Sequence, residues 1–271
     1  MIHLHRHAGL GSWLFEYGFA RVLAGRFRFA MAALPMPGFL ATSKNIQGED
    51  VYGPEIRWQG NWPFDAHSGR RLAWAELYQA PGQRIRMDGL FQRWELIAEA
   101  REEIREDWLR VADPLPVRQS GDFLICLRLE SENGKLPKMA DGIAGMDHAH
   151  GELNETEIRR LVRTVRHERL FLVTDAPGDP LLAAVRDLGG EVVSLGGMAA
   201  FRFIHSFQKV AIGQSAFHWW ATFLGATREI YFPKIERGPW SHPEPAVLAH
   251  DPAHWGIDLR VMDDERYIYD W

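Results

Sequence analysis

This sequence has little cysteine and no excess of positive charge, and each absence excludes a class of protein. Cys126 is the single cysteine among 271 residues, so the chain cannot form an internal disulfide or a cysteine cluster for zinc or iron–sulfur. Its 31 lysines and arginines are outnumbered by 36 aspartates and glutamates, which gives a formal net charge of -5. Without an overall positive field to attract a phosphate backbone, we expect no nucleic-acid partner.

Long apolar runs are also missing. Residues 1–7 lack the apolar core of a signal peptide, and no stretch approaches the roughly 20 apolar residues of a membrane span. The longest candidate, residues 29–39, is interrupted by Pro35 and Pro37. We therefore expect a cytoplasmic protein. The lack of long apolar runs is also compatible with peripheral contact at the inner face of the membrane.

Apolar and aromatic side chains, by contrast, are plentiful. The hydrophobic share is 46% and 11 residues are tryptophan, enough for one large core or two compact ones. Indole rings stack well on sugar rings, but they are first of all core fillers. The composition therefore predicts a folded protein and excludes disorder as the main state.

The N-terminal residues predict a strand, a glycine turn and a helix. Residues 2–6 alternate apolar and polar side chains, and Gly9 and Gly11 follow. Ser12 is placed to open an amphipathic helical run over 13–23.

Loops, short strands and one long helix are expected between the glycine turn and residue 116. The Pro- and Gly-rich stretch 35–85 predicts short strands and loops. The apolar spacing over 89–111 predicts one long amphipathic helix, which Pro114 and Pro116 end. We place the lobe boundary there, with an N-terminal lobe of residues 1–116 and a C-terminal lobe of residues 117–271.

The C-terminal lobe has the alternating pattern of an α/β protein. The predicted strands are 123–129, 170–174, 191–195, 211–213 and 229–232, the predicted helices are 155–167, 180–188 and 216–224, and 201–210 is compatible with either. Apolar strands separated by helices indicate a parallel sheet covered on both faces, which is a Rossmann-like lobe.

Three motifs are able to carry chemistry, and the first is the glycine turn. A turn through Gly9, Gly11 and Ser12 into a helix lets backbone N–H groups approach an anion at the positive end of the helix dipole. A tight strand-to-helix turn without a ligand explains the same glycines.

The second motif is the apolar strand that ends at Arg128. Ligands of open α/β sheets bind at the carboxyl ends of the strands, where an arginine can bind a pyrophosphate through two hydrogen bonds. An ion pair with Glu130 or Glu132 is the alternative.

The third motif is the serine-capped helix after 210–213. Ser215 is placed to cap the helix, with hydroxyl and backbone donors at the sheet edge where Arg128 also lies. Phe217, Trp220 and Leu224 fall on one helical face, which favours a role in the core.

Two further signals are weaker. Asp175 ends a predicted strand, where an acid is able to bind a ribose or a base. His3, His5 and His7 share a strand face, yet no carboxylate or cysteine lies beside them in sequence, so we expect no metal site.

At these motifs the chain resembles the bacterial α-1,2-fucosyltransferases and, more distantly, the wider fucosyltransferase group. The family opens with Gly-Leu-Gly-Asn-Gln-Leu/Met-Phe-Gln-Tyr-Ala-Phe-Ala/Gly-Arg, which residues 9–21 (GLGSWLFEYGFAR) follow closely. Residues 214–221 (QSAFHWWA) match its later Ser-Ser/Thr-Phe-Ser-Trp-Trp-Ala box, and 231–233 match the strand and proline behind it. Residues 251–255 (DPAHW) resemble its ending.

The resemblance implies a GT-B-like enzyme with two Rossmann-like lobes facing a cleft. It implies inverting transfer of fucose from GDP-fucose to a hydroxyl of a bacterial surface glycan or glycolipid, without a metal. Arg128 matches the position that stabilises the departing pyrophosphate. Glu16, Glu130 and Glu132 are candidate general bases. The expected donor-binding residues are Gly9, Gly11, Ser12, Cys126, Asp175, Ser215, Ala216 and Phe217.

Two departures from the family keep alternatives open. Cys126 replaces the family's histidine, which helps to hold the guanine nucleotide, and residues 12–13 replace its Asn-Gln. A glycosyltransferase of the same architecture with another nucleotide sugar, such as a UDP- or dTDP-sugar, is the first alternative. A glycan-binding protein that kept the fold and lost catalysis is the second.

Overall fold

The computed structural model describes two compact units of the chain. The described residues are 2–4, 9–32, 34–42, 44–48, 55–58 (backbone), 84–87, 91–127, 153–213, 215–233, 259–261 and 263–271. The first unit is Met1–Ala112 with Ile235–Arg260, and the second is Asp113–Lys234 with Val261–Trp271. The division lies close to the predicted one at 116, but it assigns 235–260 to the first unit instead of the second.

The first unit contains a small parallel sheet. Strand β1 (Ile2–Leu4) and strand β2 (Glu55–Trp58) pair in parallel on either side of β3 (Arg84–Met87). Helix α1 (Leu10–Phe27) follows β1 and is buried along most of its length. Such all-round burial makes α1 the central helix of the unit rather than an amphipathic surface helix.

Helix α1 begins earlier than predicted. Gly9, not Ser12, is its N-cap: Gly9 has the extended backbone of a cap, and its carbonyl accepts the Trp13 N–H at 3.2 Å. Ser12 lies in the first turn, where its hydroxyl accepts a hydrogen bond from the Gln92 side chain at 2.7 Å. The predicted glycine turn is therefore the cap and first turn of the helix.

The single long helix predicted for 89–111 is wrong. The structure has short helical turns at Trp94–Leu96, Ala98–Ala100, Arg101–Glu103 and Ile104–Trp108. Ile97 (φ −125°, ψ −6°) and Ala100 (φ −107°, ψ 20°) depart from helical dihedrals and divide the segment. Ile104 and Leu109 are buried five positions apart, and a π-type bond from Leu109 N–H to the Ile104 carbonyl at 2.9 Å accommodates that spacing.

The second unit is built on a sheet of six parallel strands in the order β6-β5-β4-β7-β8-β9. The strands are β4 (Asp122–Leu127), β5 (Arg169–Thr174), β6 (Glu191–Ser194), β7 (Lys209–Ile212), β8 (Glu229–Tyr231) and β9 (Tyr267–Ile268). The helices are α2 (Glu155–Thr164), α3 (Pro180–Ala184), α4 (Gly197–His205) and α5 (Ala216–Leu224). The predicted α/β class with a parallel sheet is confirmed.

Helices cover both faces of this sheet. Alternate residues of β4, such as Phe123 and Ile125, pack with Ile158 and Leu161 of α2 on one face. On the other face, the Phe171 ring of β5 lies 6.3 Å from the Phe203 ring of α4. This alternation explains why the strands are apolar throughout.

The predicted elements of the second unit agree closely with the observed ones. Helix α5 has the predicted bounds. Ser215 caps its start, and Gly225 follows its end. The ambiguous segment 201–210 contains the end of α4 and the start of β7. Strand β9 was not predicted, since two residues carry no periodicity.

A cross-strand ion pair lies at the amino-terminal edge of the sheet. The first residues of β4 and β5 are neighbours in register, and Arg169 donates two hydrogen bonds to the buried Asp122 carboxylate, both at 2.7 Å. These bonds raise the pKa of Arg169. Within the described part of the chain, no helix has the length and apolar character of a membrane span.

Truncation of the α2 core face tests this packing. Leu161→Ala removes a fully buried side chain and is expected to lower the free energy of unfolding by about 2–5 kcal/mol. Val162→Ala, one position along at the edge of the same cluster, is the matched control and should cost less than half as much. Urea denaturation measures both, and equal losses would contradict the assigned face.

A pH titration tests the end of α4. Burial lowers the pKa of His205, against a weaker opposing effect of its backbone hydrogen bond. Folding therefore favours neutral His205. The stability that this preference contributes is complete above the pKa of His205 in the unfolded state, and it is lost as the pH falls toward the pKa in the folded state. Between about pH 7.5 and pH 5, wild type should lose more stability than His205→Gln, and parallel curves would disprove the assignment.

Candidate functional site

The strand order of the second unit creates a topological switch point between β4 and β7. Counted within the unit, the order is 3-2-1-4-5-6, which is compatible with a Rossmann-like fold. The chain runs from β4 to β5 on one side and from β7 to β8 on the other. Ligands of open α/β sheets bind in the crevice that such a reversal leaves at the carboxyl ends of the strands.

The register brings two of the predicted motifs to this crevice. Cys126 of β4 pairs with Ile212 of β7, so both strands end at the same level of the sheet. Arg128 follows β4 directly in sequence but lies outside the described residues, as do Glu130 and Glu132. The capped start of α5 follows β7 at the same edge.

Helix α5 presents its positive end at the switch point. Ser215 is its N-cap and is 2% exposed, and its hydroxyl accepts the His218 N–H at 3.4 Å. The first turn of α5 contains no acidic side chain that would oppose an anion. The first backbone N–H groups of a helix have no partner within the helix, and at this end they belong to Ala216 and Phe217.

Aromatic side chains of α5 cluster with one another and contact α4. The Trp219 ring stacks on Phe223 at 4.8 Å, and Trp220 contacts both rings edge to face. Phe217 is only half-buried and packs edge to face on Phe201 at 5.4 Å. The predicted core role is confirmed for Trp220, which is fully buried, whereas Phe217 and Leu224 are the less buried positions of a helix that is otherwise buried nearly all round.

Asp175 lies at the neighbouring strand end. Thr174 pairs with Leu127 in the last register position of β5 and β4. The buried Thr174 hydroxyl accepts the Ala176 N–H at 3.0 Å, which fixes the turn that follows. Asp175, between them, is exposed. An exposed carboxylate one strand away from the switch point is well placed to accept hydrogen bonds from a ligand.

Cys126 and Glu16 are buried instead. The Cys126 thiol is fully buried within β4, so its contact with a nucleotide stays a prediction. Glu16 is 0% exposed in α1 of the first unit, the unit that also holds Gly9, Gly11 and Ser12. A carboxylate as buried as Glu16 can accept a proton from an acceptor hydroxyl only where the substrate itself enters the core.

The sequence analysis missed one part of this edge, the Gly196–Gly197 pair after β6. Both glycines are exposed, and no atom lies within 4 Å of a Cβ built on either. Gly197 has a φ of +53°, which favours glycine, whereas Gly196 adopts a backbone open to any residue. A Gly-Gly pair directly after a strand was the available signal.

Most of the histidine set lies outside the described residues. His3 lies in β1, while His5 and His7 lie outside the described residues. Across the residues that the structure describes, no group of three or more His, Cys, Asp or Glu side chains is arranged to hold a metal ion.

Loss of the α5 cap tests the geometry of the site. Ser215→Ala removes the cap acceptor and is expected to lower the free energy of unfolding by about 1 kcal/mol, whereas Ser215→Gly should cost only about 0.3 kcal/mol. Ser194→Ala, at the exposed end of β6, is the control and should stay within about 0.5 kcal/mol of wild type. Chemical denaturation measures all three, and a neutral Ser215→Ala would contradict the cap.

Comparison with known proteins gives no relative for this chain. No protein-family model matches it, and no curated protein or solved structure shows significant similarity.

Proposed function

We propose that this protein is an inverting glycosyltransferase of the fucosyltransferase type, which transfers fucose from GDP-fucose to a hydroxyl of a bacterial surface glycan. The observation that carries the proposal is the convergence at the β4/β7 switch point. The strand that leads to Arg128 and the serine-capped helix α5 come from separate fucosyltransferase-like motifs, and the register of Cys126 with Ile212 places them at one sheet edge.

The two phosphates of the donor are proposed to lie at this edge. The positive end of α5 supplies backbone donors at Ala216 and Phe217, and the Ser215 cap holds them in place. Arg128 supplies a guanidinium able to make two hydrogen bonds to a phosphate. Asp175 is proposed to contact the nucleoside, because its carboxylate would repel the phosphates.

In the proposed reaction the acceptor oxygen attacks the anomeric carbon from the face opposite the nucleotide. A new C–O bond forms there, and the bond from that carbon to the β-phosphate oxygen breaks, so negative charge accumulates on the leaving GDP. Arg128 and the α5 donors stabilise that charge, each well-placed donor contributing roughly 3 kcal/mol to the transition state. The acceptor proton passes to a base, for which Glu16, Glu130 and Glu132 are the candidates.

The two units are proposed to be the two lobes of a GT-B-like enzyme. The second unit supplies the donor site, and the first, with the GLGSWLFEYGFAR motif in its α1 region, supplies the acceptor side. Both units contain a parallel sheet with helices, which supports this assignment.

Thermal-shift measurements with GDP, UDP and dTDP test the donor class. A nucleotide at 100 times its dissociation constant stabilises the folded state by about 2.7 kcal/mol, and we expect GDP to give the largest shift. A larger shift with UDP or dTDP would assign the other nucleotide sugar. No shift with any of the three would contradict the proposal.

Arg128→Ala tests the mechanism. Transfer of fucose from radiolabelled GDP-fucose, or its hydrolysis, should fall by a factor of roughly 100 to 1,000 because a charge-stabilising donor is lost. Arg228→Ala, which removes an exposed arginine before β8, is the control and should leave turnover unchanged. Full activity of Arg128→Ala would overturn the mechanism, and nucleotide binding without any turnover by wild type would favour the glycan-binding alternative.

A further inference from the structure

We propose that the amino-terminal edge of the six-stranded sheet is a membrane-binding surface. Leu115 and Val117 insert into an anionic lipid bilayer, and Arg163, Arg166 and Lys209 contact its phosphate headgroups. We refer to these five residues as the edge surface. All of them belong to the second unit, and the proposal depends neither on the nucleotide site nor on the resemblance to fucosyltransferases.

An exposed apolar loop, residues 114–117, supplies the inserting side chains. Across the described residues, four large apolar side chains are exposed, and two of them lie in this loop, Leu115 at 43% and Val117 at 60%. Pro114 and Pro116 restrict the backbone of the loop. Two aliphatic side chains held in water so close together favour a partner that removes them from water.

Arg118 holds this loop against the sheet. Its guanidinium lies 5.0 to 5.2 Å from the centroids of three phenylalanine rings, those of Phe171, Phe203 and Phe207. Its backbone N–H donates to the Ser206 carbonyl at 2.8 Å, and its own carbonyl accepts the Gln208 side-chain amide at 2.7 Å. The apolar loop is thereby anchored beside the residues that lead directly into β7.

Cations lie next to this anchor. Lys209 begins β7, and its ammonium donates to the Arg166 carbonyl at 3.0 Å. Arg163 lies in the last turn of α2, and Arg166 lies just beyond the helix. Both arginines are exposed, and neither forms an ion pair with another residue that the structure describes. Their guanidinium groups are therefore available to a partner.

The carboxylates of this edge lie mostly toward β5 and β6. There Asp122, Glu168 and Glu191 lie around Arg169. Toward β7, Glu229 accepts the Tyr231 hydroxyl at 2.6 Å, and the three cations of the edge surface outnumber this carboxylate. The β7 side of the edge is thus positive although the chain has a net charge of -5, and a positive surface complements an anionic bilayer.

The placement of the edge surface favours a flat partner with an apolar interior. The apolar loop adjoins the end of α4, whereas Arg163 and Arg166 extend from the end of α2, and these helices cover opposite faces of the sheet. A planar bilayer is able to contact both at once. The aliphatic side chains suit lipid and not RNA, which is bound through its phosphates and through stacking on aromatic rings.

Membrane binding at this edge leaves the candidate site open. That site lies at the carboxyl ends of the strands, and the six residues of β4 separate the two edges by about 20 Å. A membrane-bound protein therefore keeps access to a water-soluble ligand.

Vesicle flotation tests the proposal. Wild type is mixed with vesicles of phosphatidylglycerol and phosphatidylcholine in equal parts, at low and at high salt, and separately with vesicles of phosphatidylcholine alone. We expect wild type to float with the anionic vesicles, to bind neutral vesicles more weakly, and to dissociate as salt screens the charges. Failure to bind anionic vesicles at low salt would overturn the proposal, and so would binding of single-stranded RNA in place of vesicles.

Two double variants test the assigned residues. Leu115→Ser with Val117→Ser should lower binding to anionic vesicles by at least about tenfold, because the inserting groups are polar. Arg163→Gln with Arg166→Gln should lower it by about 25-fold, roughly fivefold for each arginine near an anionic surface. The arginine variant should bind neutral vesicles as wild type does. Wild-type binding to anionic vesicles by either double variant would overturn the proposal.

Val192→Ser and Lys44→Gln are the matched controls. The first removes an exposed valine from the edge strand β6, and the second removes an exposed lysine from the first unit. Both should float as wild type does, and circular dichroism checks that every variant is folded. Losses in the controls equal to those in the double variants would contradict the assigned surface.

Discussion

The parallel register of β4 with β7 is the constraint on which the rest of the structure depends. Cys126 lies beside Ile212, and so two segments about 85 residues apart along the sequence end at one point of the sheet. The strand pairing makes β4 and β7 central, and the reversal of strand order between them fixes where a crevice opens. The location of the candidate site therefore follows from the sheet topology and not from any single side chain.

Helix α5 combines a packed aromatic cluster with a capped amino-terminal end. Its tryptophans and Phe223 form a buried aromatic cluster, and Phe217 packs on Phe201 of α4. A helix that is anchored in this way can present backbone donors at its Ser215 end without reorganisation, which is the condition for electrostatic stabilisation of a leaving group. The Trp219–Trp220 pair is fully buried, and a sugar platform is not needed to explain it.

Much of the second unit was predictable because its signals are local. Ser215 and Gly225 bound α5, and the apolar strands of the sheet are long enough to be recognised one by one. The order of the strands was not predictable, since pairing depends on contacts far apart in sequence. The helical turns before Leu109 were missed because apolar spacing does not reveal the non-helical dihedrals of Ile97 and Ala100, which divide the segment. Gly196 was overlooked because the start of α4, which it caps, was not predicted.

Hydrogen–deuterium exchange with and without GDP tests the central claim most directly, that a nucleotide binds at the carboxyl edge of the six-stranded sheet. The account predicts that GDP slows exchange in the turn after β5 and in the first turn of α5. It predicts no change at the opposite edge, around Asp122 and Arg169. Slowed exchange at that opposite edge, or saturating GDP without any effect after β5 and at the start of α5, would contradict it.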